Sequence, residues 1–213
     1  MNLIPIDQKK IDEQILLTVA KLLQQEQVII HPTETVYGIA GRFDSDKVIE
    51  KVRQIKGRSA EQPLSVMVAS VEQMLELSGQ ESLWLRKRLS RLFPNPLTVL
   101  LTRKKILQTD FWNRYLLIGF RCPDHLWCQA LLQKTGCPLI TTSANLTGNA
   151  PARKVKHIPS SLLSKVAVVL DGGETYFHIP STIIKIDETK KTVDLIRAGA
   201  MPWEHIQKLV KNL

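Results

Sequence analysis

Apolar residues recur along this chain with two periods, one helical and one of strand type. Ile11, Ile15, Leu16, Val19, Leu22 and Leu23 fall on one helical stripe. Val28-Ile29-Ile30 then reads as a buried strand running into Pro32-Thr33-Glu34-Thr35-Val36-Tyr37-Gly38. Asp44 or Ser45 can cap a second helix with Val48, Ile49, Val52 and Ile55 on its inner face. That helix ends at Lys56-Gly57-Arg58, where glycine is a natural stop. Strands are expected at Leu64–Ala69, Leu97–Leu101, Leu116–Arg121, Leu139–Thr142, Val166–Leu170, Ser181–Ile186 and Thr192–Arg197. Between them, Ser70 and Gln73 have capping-box spacing, and further helices fit Ser82–Leu92, Asp124–Gln133 and Trp203–Val210. The alternation is irregular. It predicts an α/β fold of α+β type, an open, twisted, mixed sheet with flanking helices.

Polar clusters stand at the ends of several of these strands, where α/β folds place ligand-binding groups. Lys56 and Arg58 flank one glycine just past a helix end, so both cations can converge on one anion. A simple basic helix cap is the bland alternative. As long polar side chains at a helix end, both are expected to act on a ligand and not on stability. Ser143-Ala144-Asn145 can hold phosphate oxygens or a purine edge, or can simply be a turn. Thr33 and Thr35 would share a face if strand geometry continues through them. Arg121 ends a strand and could pair with a carboxylate; Ser181-Thr182 and Arg197 also sit at strand boundaries. The P-loop, the G-x-G-x-x-G fingerprint, H-E-x-x-H and the G-x-S-x-G elbow are all missing. Any nucleotide phosphates must therefore be held by another device.

Composition narrows this further. With 213 residues the chain can bury a sizeable core, and one domain spanning 1–213 is the default. No apolar run approaches membrane-spanning length, and Met1–Lys10 has no signal-peptide pattern, so the cytoplasm is the expected compartment. Cys122, Cys128 and Cys137 do not suggest a disulfide framework. Cys122-x-x-His125-x-x-Cys128 could offer three zinc ligands. No fourth is near, and Asp124 reads as a helix N-cap, so buried or semi-buried thiols are expected and no metal site. The net charge of +9 is uneven. Arg86, Lys87, Arg88, Arg91, Arg103, Lys104 and Lys105 fall in a stretch without an acid, as do Arg153, Lys154, Lys156 and Lys165. Both stretches suit solvated faces or a phosphate footprint.

In order and spacing, P-T-E-T-V-Y-G, K-x-R, S-A-N, S-T-I-I and R-x-G together resemble the YrdC-type threonylcarbamoyl-AMP synthase family over nearly the whole chain. The resemblance implies a short, single-domain form with a basic cavity. It also implies synthesis of threonylcarbamoyl-AMP and pyrophosphate from L-threonine, bicarbonate or CO2, and ATP, for threonylcarbamoyladenosine modification of tRNA. Mg2+ would travel with ATP, and downstream tRNA-modification proteins would take the product. By the same resemblance, Lys56, Arg58, Ser143, Asn145 and Arg197 match nucleotide-binding positions, with Lys56 and Arg58 carrying catalysis. Thr35, Arg121, Thr141 and Ser181 match positions around threonine, and Thr33 lies beside them. The chain departs from the family pattern at His31, where an apolar or aromatic residue is usual, and at Met67, Leu117 and Ala198. A non-catalytic alternative is an RNA-binding or regulatory relative. Weak tRNA or double-stranded RNA contact through the basic surface is expected under either reading.

Overall fold

Short polar side chains start the helices ahead of their apolar stripes. In the computed structural model, which describes residues 2–57 and 64–211, Asp12 accepts from the N–H groups of Gln14 and Ile15 at the head of α1 (Glu13–Gln24). Ser45 caps α2 (Asp46–Lys56), Ser70 caps α3 (Val71–Ser78) and Ser82 caps α4 (Leu83–Leu92). Each cap satisfies an N–H that helix geometry orphans, at about 1 kcal/mol apiece. α2 stops at Gly57, whose φ of 61° is left-handed and favours a residue without Cβ.

The expected Asp124 cap is not used. α6 (Leu126–Thr135) begins from His125, whose Nδ1 accepts from the Cys128 N–H at 3.4 Å. Gln8, from the N-terminal segment, holds the other ring nitrogen at 3.0 Å, so the imidazole is fixed in the capping position. Cys122 and Cys128 are buried and Cys137 is half-buried. Burial raises all three thiol pKa values.

Ten strands form one sheet among the described residues: β1 (Leu3–Pro5), β2 (Ile29–His31), β3 (Gly38–Arg42), β4 (Ser65–Met67), β5 (Leu97–Thr102), β6 (Leu117–Arg121), β7 (Leu139–Ser143), β8 (Val168–Asp171), β9 (Thr182–Asp187) and β10 (Thr192–Arg197). Their order is β1-β8-β2-β3-β7-β4-β6-β5-β9-β10. Pairings are parallel for β1/β8, β2/β8, β4/β6 and β5/β9, and antiparallel for the rest. The mixed sheet agrees with the sequence reading. That reading did not foresee β1, β3, α5 (Asp110–Asn113) or α7 (Ser160–Leu163), whereas α8 (Trp203–Lys211) was expected.

The register divides the sheet into two unequal faces. Side chains alternate along a strand, so Ile30, Ile39, Ile140, Val66, Phe120 and Val99 all point one way. They belong to the larger core, which also takes in the inner faces of α2, α3, α4 and α8. On the opposite face Ile29, Ala40, Leu139 and Met67 are covered by α1 and α6 through Leu16, Val19, Leu23, Trp127 and Leu131. The remainder of that face is built from Gly38, Thr141, Ser143, Ser65, Gly119 and Thr98, and it floors a cavity of about 810 Å³. No helix among the described residues is long and apolar enough to cross a membrane.

Candidate active site

A turn, not a strand, delivers the threonines. β2 ends at His31, and Thr33 Oγ1 accepts from the N–H groups of Thr35 and Val36 while donating to the Val36 carbonyl at 2.7 Å. The two hydroxyls therefore meet at 2.8 Å by local side-chain capture, not by the strand alternation expected for them. Proline at 32 and this hydroxyl turn end the strand in favour of a tight loop. Thr33 reaches the cavity wall. Thr35 is buried behind it and accepts from Arg121 Nη2 at 3.1 Å.

Arg121 closes β6 with its guanidinium in the wall and its charge already met from inside the chain. Nη2 donates to Glu34 Oε1 at 2.6 Å, and both side chains are buried. Glu34 Oε2 and Arg121 Nε have no hydrogen-bond partner among the described atoms. From the sequence, Glu34 and its two flanking threonines suit an amino or hydroxyl group of a ligand; the arginine partner inside the chain was not foreseen. Ser181 Oγ lies 2.8 Å from Thr98 Oγ1, and Arg197 Nη2 donates to the Ser181 carbonyl at 2.8 Å. Burial, then the like charge of Arg121, hold the Arg197 pKa below its usual value. With Arg114, these make three guanidinium groups on a wall that presents no carboxylate among its described residues. The cavity is basic, as expected, and an entering anion would relieve the repulsion between Arg121 and Arg197.

Lys56 overturns one expectation. As a long polar side chain at a helix end, its loss was expected to spare the fold, but it is 1 % exposed. Its Nζ donates to Ser143 O at 2.6 Å, Asn145 O at 2.5 Å and Asn145 Oδ1 at 2.7 Å. Ser143 Oγ donates to the same Oδ1 at 2.5 Å, and Thr147 Oγ1 to the Lys56 carbonyl at 3.1 Å. The ammonium is thus the keystone of the Ser143–Asn145 turn. The cause is the left-handed Gly57 stop, which leaves the last side chain of α2 beside the end of β7. Arg58 lies outside the described residues.

Seven of the expected residues therefore share one cavity wall: Thr33, Arg121, Thr141, Ser143, Asn145, Ser181 and Arg197. Thr35 and Lys56 support it from behind. The sequence reading missed Ser65, Thr98, Gly119 and Arg114. Ser65 and Gly119 left a usable signal, since a serine and a glycine interrupt otherwise apolar strands, and such glycines mark close approach. At Gly119 an added Cβ would lie 3.2 Å from Ser65 Oγ and 3.3 Å from Leu100 Cδ2.

The acid-free stretch of sequence is not acid-free in space. Arg86 pairs with Glu72 at 3.3 Å, and Lys104 pairs with Glu188. Arg88 lies 3.8 Å from the centre of the Trp84 ring, and Arg103 donates to the carbonyls of Tyr115, Lys105 and Asn113. In the second stretch Lys154 pairs with Glu174 at 3.0 Å.

This geometry has known counterparts. The Sua5/YciO/YrdC family model, described as "Telomere recombination", matches residues 21–199. The chain belongs to that family. It is 30% identical over 192 residues to the threonylcarbamoyl-AMP synthase of Bacillus subtilis, covering 90% of this chain and 55% of that protein. The crystal structure of Pyrococcus abyssi Sua5 complexed with L-threonine superposes with a TM-score of 0.90 at 26% identity, over 100% of this chain and 62% of that one. Escherichia coli YciO shares the fold, with a TM-score of 0.82 at 19% identity over 96% of this chain and 98% of that one. The chain thus spans little more than half the length of the Bacillus relative, and the family is established over its own core.

Proposed function

We propose that this chain is an L-threonylcarbamoyladenylate synthase, a nucleotidyltransferase that joins L-threonine, CO2 or bicarbonate, and ATP into threonylcarbamoyl-AMP with release of pyrophosphate. The observation that carries the reading is the basic cavity in which seven of the residues singled out by the family resemblance converge. Family membership and relatives named threonylcarbamoyl-AMP synthase support it. So does the L-threonine complex of the Pyrococcus relative.

The amine of threonine adds to CO2 and loses a proton, giving a carbamate. A carbamate oxygen attacks the α-phosphorus, and the bond to pyrophosphate breaks. The protein's task is positioning and charge stabilisation. Arg121, steered by Glu34 and Thr35, faces the threonine carboxylate, with Thr33, Thr141 and Ser181 around it. Arg197 and the Ser143–Asn145 turn face the nucleotide. Lys56 acts there as a fixed charge behind the turn, and Arg58 as a cation on the phosphates. No cluster of three His, Cys, Asp or Glu occurs among the described residues. Mg2+ would arrive on the ATP phosphates. The product would pass to tRNA-modification proteins in the cytoplasm. Pyrophosphate release that requires both threonine and bicarbonate tests the reading. Release independent of either, or no release with Mg-ATP at millimolar threonine, refutes it.

A further inference from the structure

Arg114 is the cation on the cavity wall that the site as described leaves without a task. It is exposed, and it lines the cavity. Arg121 and Arg197 each spend a guanidinium donor inside the chain, on Glu34 and on the Ser181 carbonyl. Lys56 is buried behind its turn. The Arg114 guanidinium makes no hydrogen bond or ion pair among the described residues. All its N–H donors are therefore open to whatever enters a cavity whose described wall has no carboxylate.

A rigid mount carries this side chain. Arg103 Nη2 donates to the Asn113 carbonyl at 3.2 Å and Arg103 Nε to the Tyr115 carbonyl at 3.2 Å. One guanidinium thus grips the backbone on either side of Arg114. The Asn113 amide is held in turn at both polar atoms, each 2.9 Å from the Leu107 backbone. Beside it the Trp112 indole donates to the Phe43 carbonyl at 3.0 Å and stacks on the Phe43 ring. With the backbone already fixed, binding has only one long side chain left to order.

The register places the mount. Ser65 pairs with Gly119 of β6 and with Thr141 of β7. Those two strands run in opposite directions, so Leu117 and Ser143 both lie two residues past that row, on the same side of it. Arg121 lies on the other side, about 13 Å from Leu117 along β6. Arg114, just before the start of β6, therefore belongs to the Ser143–Asn145 end of the cavity, where the Lys56 charge backs the turn.

We propose that Arg114 is a further catalytic residue, which holds the terminal phosphates of ATP and then the pyrophosphate as it leaves. The inference rests on the synthase reading above and gives the leaving group its own donor. A carbamate oxygen forms the new bond to the α-phosphorus. The bond from that phosphorus to the bridging oxygen breaks, and its electron pair stays on the oxygen, so negative charge grows on the departing pyrophosphate. A planar fork of free N–H groups meets two phosphate oxygens at once. No proton moves in this step.

Arg114→Ala and Arg114→Lys in the full chain are the test variants. Both should melt within about 2 °C of the parent, because an exposed side chain without partners carries little stability. With threonine, bicarbonate and Mg-ATP saturating, Arg114→Ala should turn over about 10²-fold more slowly, the size of one lost electrostatic donor. Its KM for threonine should stay within about twofold. In calorimetric titrations it should bind pyrophosphate at least about tenfold more weakly and AMP as well as wild type does. Arg114→Lys keeps the charge without the fork and should fall between the two. An Arg114→Ala protein with parental turnover and pyrophosphate affinity overturns the inference and leaves a solvated cation. A raised threonine KM with pyrophosphate affinity unchanged overturns it too, since Arg114 would then serve the carboxylate. Equal weakening of AMP and pyrophosphate also contradicts a role on the leaving group. If Arg114→Ala melts far below the parent, Arg114→Lys decides, and unchanged pyrophosphate affinity in that variant overturns the inference. Active wild type with an indifferent Arg114→Ala refutes only the role of Arg114. Wild type that releases no pyrophosphate refutes the synthase reading and this inference with it.

Discussion

Truncating Lys56 to alanine would leave the Ser143 and Asn145 carbonyls without their donor inside a buried turn. Hydrogen bonds from charged groups contribute about 1.5–3 kcal/mol each when lost singly, though not additively. Lys56→Ala should therefore destabilise the protein by roughly 2–4 kcal/mol, a fall in Tm of about 5–15 °C for a chain of this size. Lys56→Met keeps the packed stem and should be nearly as damaged. A melting curve within a degree or two of the parent would show that the turn stands without the ammonium. The sequence exposed the identity of Lys56 but not this role, because charge and helix-end position are local while its three acceptors lie almost ninety residues away. Arg121 was legible as a cation in need of a carboxylate. Nothing in the spacing revealed that Glu34 would supply one.

Among the elements, the legible ones announce themselves by period and cap together. α1, α2, α3 and α4 each combine an apolar stripe with a side-chain cap. β3 was invisible for a physical reason: in Gly38-Ile39-Ala40-Gly41-Arg42 only Ile39 is large and apolar. Gly38 keeps the cavity floor low, and at Gly41 an added Cβ would strike Val48 Cγ1 of α2 at 2.4 Å. The strand gives up its side chains to space that other parts need, and with them its periodicity. β1, α5 and α7 are too short to carry a period. At α2 the stop itself can be tested. Gly57 is left-handed and an added Cβ would meet nothing within 4 Å, so Gly57→Ala should cost about 1–2 kcal/mol from backbone conformation alone. Gly57→Asn should cost less, as asparagine tolerates this region. Chemical denaturation of the two variants measures the difference; equal stability of Gly57→Ala and wild type would mean that the α2 terminus relaxes.

Over the whole molecule, buried histidines tie stability to pH. Burial foremost lowers the His31 pKa to about 3 and that of His125 to about 4, from an ordinary 6.5. Below pH 6.5 the unfolded chain takes up these protons and the folded chain does not, so stability falls as pH falls from 6.5 towards 4. The loss between pH 7 and pH 5 should reach roughly 3–4 kcal/mol for the two groups together. Urea titrations at both pH values measure it, and His125→Asn should remove about half of the dependence. A flat profile would show that both rings protonate in place. The surface charge bears on RNA. At least four of the seven cations between Trp84 and Lys105 are engaged with acids, a ring or backbone carbonyls. Duplex contacts give a salt slope of about −0.9 per phosphate, so a slope no steeper than about −3 is expected instead of the roughly −6 of a fully available stretch. A steep slope abolished by charge reversal at Arg103 and Lys104 would contradict this.

The strand order also governs when the chain can finish folding during its own synthesis. β1 and β2 both take β8 as their parallel partner, with Leu3 beside Val169 and Ile29 beside Val168. Until β8 has emerged from the ribosome, one edge of β2 stays unpaired, on the order of ten seconds at ordinary elongation rates. β3 can pair with β2 early, since the turn from Pro32 to Tyr37 brings them together locally. The other edge waits, apolar at Ile29 and Ile30, and open strand edges recruit neighbouring chains. A nascent polypeptide of this topology carries that open edge until its last third has been made.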